Sequence, residues 1–172
     1  MSTETVAARM GAGVYALPLE RTCISYGIDT TLRKAHFLGQ VAHESDGFRT
    51  AREYASGAAY EGRLDLGNTR PGDGRRFRGR GLIQITGRAN YRACSHHLFG
   101  DDRLLDSPEL LEIPEWAARC SGWYWQSRRL NVWADLDDVR QVTRRINGGL
   151  NGLADRIRRT EQAKALFAEM VT

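Results

Sequence analysis

The sequence predicts a mainly α-helical single domain, residues 1–172, with a small β-hairpin element. Three observations carry this. Apolar residues recur at helical spacing along most of the chain. Capping residues and Gly-Gly or Asp-Gly stops bound those stretches. One segment, 57–87, is instead dense in glycine and closes on a β-branched run. A length of 172 residues suits one domain with a real core, and 41% hydrophobic with 27% charged residues marks an ordinary globular composition. No repeat and no Ser/Pro/Gly linker divides the chain.

The elements follow in order. The part through Gly27 reads as one or two short helices. A strong helix is expected over 31–48, capped by Asp29, Thr30 or Thr31, with Leu38, Val41 and Ala42 on its apolar side and Asp46-Gly47 at its end. The glycine-rich segment contains Asn68-Thr69, Pro71-Gly72 and Asp73-Gly74, all turn formers, and its end, RFRGRGLIQIT (76–86), suits a short strand. Helices resume over 89–98, 108–128, 136–146 and 153–170. Ser107-Pro108 suits an N-cap followed by proline, Asp135 or Asp137 a second cap, and Gly148-Gly149 a stop.

Charge and cysteines exclude several classes. The net charge is +4, and the only lysines are Lys34 and Lys164, so the cation is almost all arginine. Between Arg63 and Arg92, eight arginines face two acids, Asp65 and Asp73, a pattern that favours polyanions or simply forms a solvated face. A second basic set, Arg140, Arg144, Arg145, Arg156, Arg158 and Arg159, reads as a solvated helical face. No motif of nucleic-acid recognition accompanies either set, so nucleic acid is not the expected partner. Cys23, Cys94 and Cys120 are odd in number and lack CxxC spacing, which predicts buried free thiols. No metal site is expected, because His43-Glu44 opens like a zinc-protease motif but Gly47 stands where the second histidine belongs. The stretch 11–19 makes a poor signal peptide and no segment reaches the ~20 apolar residues of a membrane span. Synthesis in a cytoplasm, as a monomer with no stable membrane insertion, is the expectation.

Glu44 is the first chemical candidate. At 100° per residue it shares a helix stripe with Phe37, Val41 and Phe48, near the C-terminal end. An apolar setting and the negative end of the helix dipole would both favour its protonated form, which a general acid requires. The alternative is a carboxylate that ends the stripe and points to solvent. A glycosidase needs a second carboxylate, and Glu53 and Glu61 both follow closely, in or beside the glycine-rich segment. Asp65 and Asp73 are better explained by turns. Gln84, Thr86 and Asn90 offer neutral polar groups for a sugar cleft, with Gln84 and Thr86 on one side of the expected strand. Tyr60, Phe77 and Tyr91 supply either stacking surfaces or core packing. Trp116, Cys120, Trp123 and Ser127 form a stripe that reads as core.

Three blocks carry a family resemblance. FLGQVAHESDGF (37–48), YEGRLDLGNTRPGDGRRFRGRGLIQITGRANY (60–91) and INGGLNG (146–152) resemble glycoside hydrolase family 19, the plant-type chitinases and their phage and bacterial relatives, and most closely the phage endolysin branch. The resemblance implies a lysozyme-like, two-lobed helical fold and inverting cleavage of a β-1,4 bond beside an N-acetylated sugar, without cofactor. It matches Glu44 to the general acid and, best, Glu61 to the water-activating base, with Glu53 able to take that role. It matches Thr86 to a residue that helps hold the water. Gln84, Asn90 and Asn147 match polar residues lining the cleft; Tyr60 and Tyr91 are expected as further substrate contacts through their rings.

Three functions then compete. The first is an endolysin that cleaves peptidoglycan and is released to the periplasm and wall by a separate lysis protein, leading to host cell lysis. The second is a chitinase of the same family. The third is a non-catalytic polysaccharide-binding module built on arginine.

Overall fold

A computed structural model describes residues 1–169. The final residues, 170–172, which include the expected end of the last helix at Met170, lie outside the described residues. Ten α-helices follow one another: α1 Thr3–Arg9, α2 Ala16–Ser25, α3 Thr31–Glu44, α4 Asp73–Arg76, α5 Arg88–Phe99, α6 Arg103–Asp106, α7 Pro114–Ser127, α8 Asn131–Asp135, α9 Val139–Asn147 and α10 Leu153–Ala168. The α3 and α10 helices form the most extensive helix pair. They approach closely because position 39 is glycine: a Cβ there would lie 2.3 Å from the Thr160 hydroxyl. Phe37, Leu38, Val41 and Ala42 of α3 are buried, and Phe37 meets Trp125 of α7 edge to face at 5.4 Å.

The helix starts obey capping chemistry. Thr30 caps α3 by accepting from the Arg33 amide, and Asp138 caps α9 by accepting from the Gln141 amide. One expected helix is broken in two and another starts later than expected. The stretch 108–128 is a short 3₁₀ turn, Pro108–Glu112, and then α7, because Pro114 lacks an amide hydrogen and holds Ile113 extended at ψ 131°. Ser107, the expected cap, makes no side-chain capping bond. The helix expected over 136–146 is α9, which starts only at Val139 because Asp137 is left-handed at φ +55°. Its cap is Asp138, one residue beyond the expected pair, and α8 lies before the expected stretch.

The β element exists in minimal form. Arg80 bridges Arg52 and Ile85 antiparallel, and Gly81 to Gln84 form the turn between them. The expected strand over 76–86 is absent, since α4 takes its first residue and Gln84 turns at φ +59°. Gln84 and Thr86 therefore do not share a strand face. The stripe on α7 is shifted from the expected one: Cys120 is buried, but its companions in the core are Ala117, Ala118, Ser121 and Trp125, with Trp116 and Trp123 half-buried and Ser127 exposed. All three cysteines are free and buried. Among the described residues no helix is long and apolar enough to cross a membrane.

Candidate active site

A cleft of about 410 Å³ separates a helical wall from a loop wall. Glu44, Tyr124, Arg128, Ile146 and Asn147 line it from α3, α7 and α9. Tyr60, Leu66, Ile83, Gln84, Ile85, Thr86 and Asn90 line it from the glycine-rich segment and the start of α5.

Glu44 stands at the last position of α3, and its side chain keeps 18% of its exposure. Its surroundings differ from the expected apolar stripe, because Phe37 and Phe48 turn into the core. The partner is Arg156, whose Nη2 donates to Glu44 Oε1 at 2.6 Å. Arg156 also donates to Gln40 Oε1 at 2.6 Å and to the Asn151 carbonyl at 3.1 Å, and Gln40 in turn donates to Thr143. A guanidinium that is 1% exposed is thus fully engaged, which corrects the reading of Arg156 as part of a solvated face. Next to it, His43 Nδ1 lies 2.7 Å from Asp155. Burial pulls the Asp155 carboxyl upward, but hydrogen bonds from His43, Arg159 and Arg158 outweigh it and hold Asp155 well below the usual carboxylate range.

The two base candidates separate clearly. Glu53 is half-buried; its Oε1 accepts from the Tyr60 hydroxyl at 2.9 Å and its Oε2 from the Gly79 amide at 3.0 Å. A Cβ at position 79 would lie 2.7 Å from Gln84 Oε1 and 3.3 Å from Glu53 Oε2, so glycine there lets Glu53 sit beside Gln84. Both Tyr60 and Gln84 line the cleft. The Tyr60 hydroxyl is pushed up by burial and by its bond to Glu53. Glu61, by contrast, is exposed and tied to another task. Its two oxygens accept from the Gly72 amide at 2.6 Å and the Gly74 amide at 2.8 Å, and it borders a separate depression with Leu64, Asn68 and Pro71. Glu61 is therefore a loop anchor beside another depression, whereas Glu53 contacts two residues that line the cleft.

The remaining sequence candidates divide. Thr86 lines the cleft and its hydroxyl donates to the Gln84 carbonyl at 3.0 Å. Gln84 donates to the Gly81 carbonyl, and Asn90 to the Thr86 carbonyl, so both amides are oriented from within the loop wall. Asn147 closes α9 and is exposed to the cleft. Tyr91 does not belong to the site: it is fully buried, with its hydroxyl donating to the Arg78 carbonyl and accepting from Arg80. Phe77 is also core. Of the arginines between 63 and 92, Arg80 and Arg88 are inward struts rather than surface charge. Arg80 pairs with Glu112, and Arg88 holds Asp73 through both guanidinium and carboxylate edges at 2.8 and 2.6 Å. Among the described residues, no cluster of His, Cys, Asp and Glu is placed to hold a metal ion.

Sequence reasoning missed Arg156, Tyr124 and Arg128. A signal for Arg156 was present: it lies at helical spacing with Thr160, Ala163 and Phe167, all buried, so the arginine stands on the core stripe of α10. No comparable pattern marks Tyr124 or Arg128.

No family model matches the chain. A glycosyl hydrolase family 19 domain-containing protein of Haemophilus influenzae is 35% identical over 161 residues, covering 76% of this chain and 78% of its own length. An Arabidopsis thaliana endochitinase is 36% identical over 116 residues, 67% of this chain, and the chain spans only 38% of that enzyme. The fold matches that of chitinase C from Streptomyces griseus with a TM-score of 0.80 at 24% identity, over 97% of this chain and 76% of the other.

Proposed function

The chain belongs to glycosyl hydrolase family 19, and on that premise we propose that this glycoside hydrolase cuts the β-1,4-linked amino-sugar backbone of bacterial peptidoglycan, with inversion. The observation that carries the mechanism is the pairing of Glu44 on one wall of the cleft with Glu53 behind the Tyr60–Gln84 edge of the other. Arg156 holds Glu44 Oε1, so Oε2 is the oxygen that delivers a proton to the leaving glycosidic oxygen. Glu53 removes a proton from water as it attacks the anomeric carbon from the opposite face, which inverts the configuration. Thr86 steadies that water. Gln84, Asn90 and Asn147 bond sugar hydroxyls and acetamido groups, and Tyr60 orients Glu53. The chain's own residues supply every proton transfer, and no cofactor enters this scheme.

Peptidoglycan is favoured by charge. The protein carries +4 overall, and Arg128 stands in the cleft itself. A cationic surface speeds encounter with an anionic wall and gives no advantage on neutral chitin. Chitin is the second reading, supported by the endochitinase and chitinase names of several relatives. The biological setting of the first reading is lysis of a host cell by a monomeric enzyme, made in the cytoplasm and given access to the wall by a separate lysis protein.

Outer-membrane-permeabilised Gram-negative cells supply the test. Clearing of turbidity by the wild type, with fragments whose mass shows glycosidic cleavage, is expected. Intact cells together with rapid cleavage of chitin oligosaccharides would favour the second reading. Proton NMR of the first-formed reducing end should show the α-anomer, and a β-anomer would overturn inversion.

A further inference from the structure

Arg128 also lines a second depression of about 290 Å³, together with Arg129, Val132, Trp133 and Arg145. The two depressions share Arg128, whose guanidinium lies 3.6 Å from the centre of the Tyr124 ring at the boundary. Arg145 lies over the Trp133 ring at 4.5 Å, a stack that fixes the plane of its guanidinium. No carboxylate lines this depression. The acids of the neighbouring helices serve others: Asp135 pairs with Arg33 at 2.6 Å, Asp137 with Lys164 and His36, and Asp138 caps α9. Three guanidinium groups thus converge on a concave surface with no counter-charge among the described residues.

We infer that this depression is a subsite for carboxylate-bearing substituents of the glycan strand held in the cleft. Arginine is suited to this, since its planar fork bonds both oxygens of a carboxylate, and partial enclosure strengthens the contact. The stacked Trp133 and the half-exposed Val132 offer an apolar floor for the chain that carries the carboxylate. A neutral polymer such as chitin presents no carboxylate for the three cations to pair with. In peptidoglycan the peptide stems end in free carboxylates close to the sugar backbone. The inference rests on the peptidoglycan reading and adds the residues that select its charged form.

The test uses an Arg129→Ala/Arg145→Ala double variant, both positions lying outside the catalytic cleft. Three substrates are compared: soluble peptide-bearing glycan strands, the same strands with their carboxylates converted to carboxamides, and chitohexaose. On the anionic strands the double variant should lose about tenfold in kcat/KM, mostly through KM, the scale of one charge-assisted hydrogen bond. On the amidated strands and chitohexaose it should match the wild type. Equal losses on all three, or no loss on the anionic strands, would overturn the subsite. Should the wild type cut chitohexaose but no glycan strand, the peptidoglycan reading fails by itself. Binding then decides the subsite. Calorimetry on Glu44→Gln protein with a disaccharide-peptide and its amidated form should show a preference for the free carboxylates that disappears on adding the two arginine changes. No preference would refute it.

Discussion

On the helical wall of the cleft, Glu44 is held by packing: α3 lies against α10 through Gly39, and a buried arginine reaches across from α10 to the carboxylate. On the loop wall, Glu53 is held by hydrogen bonds from a backbone amide and a tyrosine, in a segment with hardly any regular structure. That segment is fixed by polar struts instead. Glu61 ties two amides, Asp73 receives Arg88, and Arg80 bonds Glu112, the Arg76 carbonyl and Tyr91. Inversion requires carboxylates on opposite faces of a sugar ring, separated by room for a water. A helix end and a strutted loop place the two candidate carboxylates on different walls, each held in its own way. The proposed acid sits at a helix end, and the proposed base sits where a loop aims it.

Changes on the helical wall should have the largest effects. Glu44→Gln keeps the bond to Arg156 through an amide oxygen but cannot deliver a proton, so kcat on permeabilised cells or soluble strands should fall ~10²–10⁴-fold with little change in stability. A fall of less than tenfold would remove Glu44 from the chemistry. Arg156→Leu leaves Gln40 and Glu44 without their buried partner, and urea unfolding should show a loss of about 3 kcal/mol. On the loop wall the struts are individually weaker. Asp73→Asn removes the counter-charge of Arg88, whose side chain is only 13% exposed, and should lower stability by about 1–3 kcal/mol. Glu61→Ala frees the exposed Gly72 amide and the part-buried Gly74 amide and should take away about 1 kcal/mol.

Acid should weaken both walls together. Asp155 on the helical side and Asp73 on the loop side are both held below the ordinary carboxylate range. For Asp73 the bond from Arg88 leads, against an opposing contribution from burial. Because their folded values lie below the unfolded ones, their contribution is complete at neutral pH. As pH falls through about 4 the unfolded chain takes up protons first, and stability declines until the folded carboxyls protonate as well. Urea midpoints at pH 7, 5 and 3 should fall in that order, and Asp155→Asn should flatten the dependence.

The same contrast explains what could be read in the sequence. The helical wall was legible in part. A cap among Asp29, Thr30 and Thr31 and the spacing of Leu38, Val41 and Ala42 place the start and apolar side of α3, and the family blocks point to Glu44, while Arg156, Tyr124 and Arg128 on the same side went unread. Pro114 divided the helix expected over 108–128, and Asp137 delayed the start of the one expected over 136–146, because one residue's backbone overrode a longer apolar pattern. The loop wall was legible as a loop and nothing finer. Glu53 and Glu61 look alike in sequence, and only the fold shows that Gly72 and Gly74 occupy one of them while Tyr60 and Gly79 hold the other beside the cleft. Tyr91 likewise looked as fit for a sugar as Tyr60 until Arg80 and the core enclosed it.

The proposed mechanism pairs Glu44 with the carboxylate at 53 and not the one at 61. Measuring kcat for Glu53→Gln and Glu61→Gln side by side on one soluble amino-sugar oligomer tests it most directly. Glu53→Gln should lose at least ~10²-fold while Glu61→Gln stays within a few-fold of the wild type. The reverse order, with Glu61→Gln inactive in a protein that still folds and Glu53→Gln active, would contradict the account.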